Sequence, residues 1–96
     1  MHAVVVRVKV GDVERAQQAL EGEVLPQVSS APGFKAGYWT RVTDGGETNG
    51  LSMVIFDSEE NARAAAGRVR GMAAETTAAE TVTIESVEVR EVVASA

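Results

Sequence analysis

The sequence predicts an α+β domain of element order β-α-β-β-α-β, in which a four-stranded antiparallel sheet carries both helices on one face and residues 1–96 form a single unit. Three observations lead there. Valines recur at every second position from Val4 to Val10, apolar residues step by three or four after Asp12 and again after Ser58, and two extended runs flank the turn-rich stretch Thr43 to Gly50.

In the first strand, His2 to Val10, Val4, Val6, Val8 and Val10 share one side while Arg7 and Lys9 take the other, as a half-buried strand requires. Asp12 then suits the N-cap of a helix whose inner positions are Val13, Ala16, Leu20, Val24 and Val28. Pro26 lies inside this pattern, where it removes a backbone donor, so a kink or break is expected near Leu25, and "APG" at Ala31 to Gly33 ends the helix. An extended run follows from Phe34 to about Thr43. "TDGGETNG" turns it into "LSMVIFD" as an antiparallel hairpin. Ser58 caps the second helix, Glu59 and Glu60 complement its dipole, and Ala62, Ala65, Ala66, Val69 and Met72 form its inner stripe. Gly71 to Glu80 reads as a loop or a frayed helical end before the last strand, "TVTIESVEVREVV". In that strand Val82 and Ile84 follow one alternation and Val87 and Val89 the other, so a bulge near Glu85 and Ser86 is expected to restore the phase, with the tail "VREVVASA" free to run beside a partner subunit. The whole is the ferredoxin-like plan.

Composition narrows the function classes. A chain of 96 residues buries only roughly 60–65% of its unfolded surface, so its own core is thin. Charged residues make up 24% and apolar ones 45%, a globular balance, and a net charge of −5 with mixed signs offers no basic patch for a phosphate backbone. Nucleic acid is therefore not an expected partner. With no cysteine there is no thiolate, disulfide or Cys-ligated metal, and the single His leaves zinc unsupported; no metal and no cofactor are expected. Arg7 and Lys9 interrupt the apolar N-terminus, so it reads as a strand rather than a signal peptide, no membrane association is expected, and the cytoplasm is the expected location.

Three of the four aromatic residues, Phe34, Tyr38 and Trp39, fall in one short segment, "APGFKAGYWTRV". Strict alternation puts Phe34 and Val42 toward the helices and Trp39 and Arg41 on the open face of the sheet, beside Val5 and Arg7 of the first strand and Val54 and Phe56 of the third. Such a face is too apolar for water, and a second sheet packed against it resolves the conflict.

"APGFKAGYW", a hairpin and then "VIFDSEENARAA" resemble the antibiotic biosynthesis monooxygenase (ABM)-like group of the dimeric α/β-barrel superfamily, whose members share a "PGF" lead into the second strand and a Ser-Glu-Glu-Ala-like helix cap. The resemblance implies a homodimer whose sheets face each other as a barrel, with a ligand pocket in each protomer. Haem-degrading members carry an Asn on the first strand and a Trp and a His on the second helix, which "SEENARAAAGRVRGM" lacks. Quinone-forming members use Asn, Trp, Tyr and Arg, a set that Trp39, Tyr38, Arg7 and Arg41 echo without the spacing.

Each candidate also has a plainer role. Trp39 either stacks on a flat ligand or fills the subunit interface. Arg7 and Arg41 either bind an anionic or phenolic oxygen or pair with Glu85 or Glu88 across the sheet or the dimer. His2 reads as a solvent-exposed strand start, and "NGLSMVIF" has Leu51 and Met53 where an RNA-binding strand needs aromatic rings. No catalytic residue is assigned. The expected function is non-catalytic binding of a small apolar or aromatic molecule in a pocket beside the dimer interface, with Trp39, Arg41, Arg7, Tyr38 and Phe56 as candidate contacts. The alternative is cofactor-independent oxygenation of an aromatic or polyketide-like substrate, which needs substrate-derived chemistry with O2.

Overall fold

The computed structural model describes residues 1–75 and 82–96. Strands β1 (His2–Val10), β2 (Phe34–Asp44), β3 (Glu47–Phe56) and β4 (Val82–Glu91) form one antiparallel sheet in the order β2-β3-β1-β4. One face is covered by α1 (Val13–Ala19), a π-helical turn (Leu20–Val24) and α2 (Leu25–Ser29), together with α3 (Glu59–Glu75). This is the expected ferredoxin-like plan. Among the described residues no helix is long and apolar enough to cross a membrane.

Both helix caps follow the sequence signals. The Asp12 side chain accepts the Arg15 N–H at 3.1 Å, and Ser58 Oγ accepts the Asn61 N–H at 3.2 Å, each satisfying a donor the first helical turn cannot. Around Pro26 the helix widens instead of breaking. Pro26 cannot donate to the carbonyl of Gly22, and the Leu25 N–H reaches back five residues to Leu20 O, so one π turn absorbs the missing bond and α2 continues with Pro26 in its first turn. The hairpin is also tighter than the turn-rich stretch suggests. Only Gly45 and Gly46 make the turn, at φ +61° and +84°, and Thr43 and Thr48, expected in the loop, pair across the ladder with their hydroxyls 2.9 Å apart. α3 continues to Glu75; the Met72 side chain and the remainder of Gly71–Glu80 beyond that point lie outside the described residues.

The core lies between sheet and helices. Val4, Val6, Val54 and Phe56 from the central strands meet Ala62, Ala65 and Ala66 of α3, and the Phe34 ring stands edge-on to Phe56 at 6.4 Å and 79°. Val69 packs against this cluster, whereas Val13, expected on the inner side of the first helix, is exposed.

Two bulges set the strand phases. In β4 the pairing jumps from Arg7 with Ser86 to Val8 with Ile84, leaving Glu85 as an extra residue, so Ile84, Val87 and Val89 all join the core as expected. The tail is less free than the sequence suggests: Val89, Arg90 and Glu91 pair with Val4, Ala3 and His2 of their own chain, and the Val92 N–H donates to Met1 O at 2.9 Å. In β2 the pairing jumps from Phe34 with Phe56 to Ala36 with Ile55, and the extra residue is Lys35. That slip reverses the faces of everything after it. Trp39 and Arg41 lie opposite Ser52 and Gly50 on the helix side, in phase with Val54 and Phe56, while Tyr38 and Val42 turn to the open face. The expectation that Trp39, Arg41, Val54 and Phe56 occupy the open face is therefore corrected. Val5 and Arg7 do lie there.

Candidate functional site

Small side chains on α3 and the widened turn of the first helical layer leave space between that layer and the sheet. Val28 and Ala31 pack on the core cluster, but Ala16, Leu20 and Val24, three of the predicted inner positions, face a cavity of about 480 Å³. A gap of this size is well beyond the packing defects of a normal interior and falls within the range of ligand pockets, roughly 300–1,000 Å³.

The floor of the cavity is apolar. Val4, Val6, Val8 and Val10 of β1, Val54 and Phe56 of β3 and Ile84 of β4 contribute to it, and α3 adds Ala65 and Val69. Trp39, the single tryptophan, is half-buried in its lining. The ring owes its position to Gly37, two residues earlier on the same face. A Cβ at Gly37 would stand 2.6 Å from Trp39 Cη2 and 2.7 Å from Cζ3, so only a glycine leaves the indole room to lie against the strand. Gly37→Ala is expected to displace the indole and lower stability by about 1–3 kcal/mol, the usual cost of overpacking. Tryptophan emission and urea denaturation check this; wild-type values in both would place the ring elsewhere.

Polar lining groups are few. Gln17 and Gln27 come from the first helical layer, Arg41 from β2, Ser52 from β3 and Arg68 from α3. Arg41 Nη1 donates to Gln17 Oε1 at 3.1 Å, and Gln17 Nε2 donates to Glu21 Oε1 at 2.9 Å. This relay ties the end of β2 to α1 and turns the Gln17 oxygen toward the guanidinium.

Three of the five candidate contacts, Trp39, Arg41 and Phe56, thus come together around the cavity. Tyr38 and Arg7 lie on the opposite side of the sheet. Within the protomer Arg7 makes no ion pair among the described residues, Glu88 pairs with Arg90 at 2.6 Å and Arg41 engages Gln17, so the expected pairing with Glu85 or Glu88 does not form across the protomer's own sheet. His2 is not an exposed strand start. Its side chain is 19% exposed beneath the N-terminus of α3, with Nε2 3.4 Å from Glu59 Oε2, and it does not line the cavity. Among the described residues no cluster of three or more His, Cys, Asp or Glu could hold a metal ion. Arg68, Gln17 and Gln27 were missed by sequence reasoning because a polar residue on an exposed helix flank carries no mark of the cavity beside it.

The open face has a different character. Tyr38, Val42, Leu51 and Met53 are 64%, 62%, 36% and 43% exposed, and they lie side by side on β2 and β3. Arg7, Lys9, Glu88 and Arg90 occupy the same face on β1 and β4. An apolar half and a charged half therefore share one surface.

No protein-family model and no curated protein matches the chain. Among solved structures, a dimeric ferredoxin-like protein from an uncultured marine organism is similar, with a TM-score of 0.62 at 14% identity over 99% of this chain and 97% of that one. At that identity the likeness speaks for the fold.

Proposed function

We propose that the chain is a homodimeric binding protein of the dimeric α/β-barrel type, in which each protomer holds a small apolar or aromatic molecule between its helices and its sheet. The observation that carries this reading is the cavity of about 480 Å³ with an apolar floor and an indole in its wall. The β2 bulge turns Trp39 and Arg41 to the helix side, so in this reading the sheet stands between ligand and partner, where the sequence suggested a pocket beside the dimer interface. Dimerisation is supported by the exposed row Tyr38, Val42, Leu51 and Met53, an apolar patch that a second copy would cover, and by the dimeric state of the marine neighbour. The resemblance of "APGFKAGYW" and "SEENARAA" to the ABM-like group points the same way. Binding is favoured over oxygenation because no described lining side chain is a His, Asp or Glu able to take a proton from a substrate.

The test uses N-phenylnaphthylamine, a neutral aromatic probe whose emission rises in apolar surroundings. Saturable binding at one probe per protomer is expected, with transfer of excitation from Trp39. Ala16→Phe, which places bulk in the cavity, is expected to abolish it while the protein stays folded. Absence of saturable binding, or binding that Ala16→Phe leaves unchanged, overturns the reading.

A further inference from the structure

The charge of the cavity lining runs against the charge of the chain. The sequence has 14 acidic and 9 basic residues, yet the described charged residues that line the cavity are Arg41 and Arg68, with no Asp or Glu among them. Both are exposed residues, set in a lining that is otherwise made largely of valines with Phe56 and Trp39. Neither forms an ion pair among the described residues. Arg41 is held by one hydrogen bond, to Gln17 Oε1, and the nearby carboxylate of Glu21 accepts from Gln17 Nε2 rather than pairing with Arg41.

We infer that the ligand is an apolar molecule ending in an anionic group, whose head is received at the mouth by Arg41 and Arg68 and whose body fills the cavity. A guanidinium offers a planar fork of donors matched to a carboxylate, and a charge-assisted pair of this kind is about twice as strong as a neutral hydrogen bond. The neutral Gln17 contact costs an arriving anion little, because it leaves the positive charge of Arg41 uncompensated and only fixes where it sits. The inference rests on the binding reading above and adds the chemical class of the ligand to it.

Decanoate and decanol share a chain and differ in the head, which makes them a direct test. Their affinities are read from displacement of N-phenylnaphthylamine in the full chain. Decanoate is expected to bind on the order of ten-fold more tightly than decanol, the scale of one or two hydrogen bonds to a charged group at an exposed site. Arg41→Gln and Arg68→Gln are each expected to lower decanoate affinity several-fold and leave decanol unchanged, and rising salt is expected to erode the difference. Equal affinities for acid and alcohol, with no response to either substitution, would overturn the anionic class while leaving the apolar pocket standing. Failure of the probe, the acid and the alcohol alike would remove the pocket reading and this inference together.

Discussion

Phe56→Ala is expected to cost the domain about 3–5 kcal/mol, the range for removing a fully buried aromatic ring, with roughly 0.5–1.5 kcal/mol of it arising from the lost edge-on contact with Phe34. Phe56 is 1% exposed and packs in the core cluster with Val54, Phe34 and the alanines of α3, so its removal leaves that cluster without its largest fully buried side chain. Small domains hold only about 5–15 kcal/mol in total, so the variant should melt far below the wild type or fail to accumulate. Urea denaturation of Phe56→Ala beside Phe56→Leu, which keeps most of the apolar volume, is the measurement. A loss below about 1 kcal/mol for the alanine variant would mean that the ring lines the cavity without supporting the core.

The double substitution Tyr38→Asp with Met53→Asp is expected to convert a dimer into monomers. Both side chains are exposed in the protomer, so the fold should lose little, but in a face-to-face dimer that sets the two apolar halves together each carboxylate would be buried without a partner. A penalty of about 4 kcal/mol would raise the dissociation constant roughly a thousand-fold. Sedimentation at tens of micromolar, about the usual working concentration, should find the wild type dimeric and the variant monomeric. A monomeric wild type would sink the proposed assembly. Trp39→Ala provides the contrast, because a ring on the helix side can empty the cavity and weaken the protomer while the dimer persists. Dissociation of Trp39→Ala without loss of protomer stability would mean that the indole reaches the interface after all.

The two bulges explain why one strand was legible and another was not. In β4 the apolar residues change alternation at Glu85 and Ser86, and a strand with one buried face cannot tolerate that without an extra residue. The pattern itself announces the slip. In β2 both alternations carry apolar residues: Phe34, Tyr38 and Val42 on one, Trp39 on the other. A straight strand and a bulged one each bury something and expose something, so the sequence of β2 contains no local preference between them. The Pro26 site is intermediate: the loss of a hydrogen bond is local and predictable, but whether the helix breaks or widens depends on what the following turn packs against.

The residues alone determined the order of the elements, the phase of β1, the caps at Asp12 and Ser58 and the bulge of β4, because each follows from a steric or hydrogen-bonding rule acting within a few residues. Which way Trp39 and Arg41 point was decided only when β2 paired with β3. There, seating Phe34 against Phe56 while also bringing Trp39 onto the helix side requires one extra residue at Lys35. The cavity was decided at the same level. Its walls come from four strands, three α-helices and the π-helical turn, and a void is a property of how those surfaces fail to meet, which no single segment encodes.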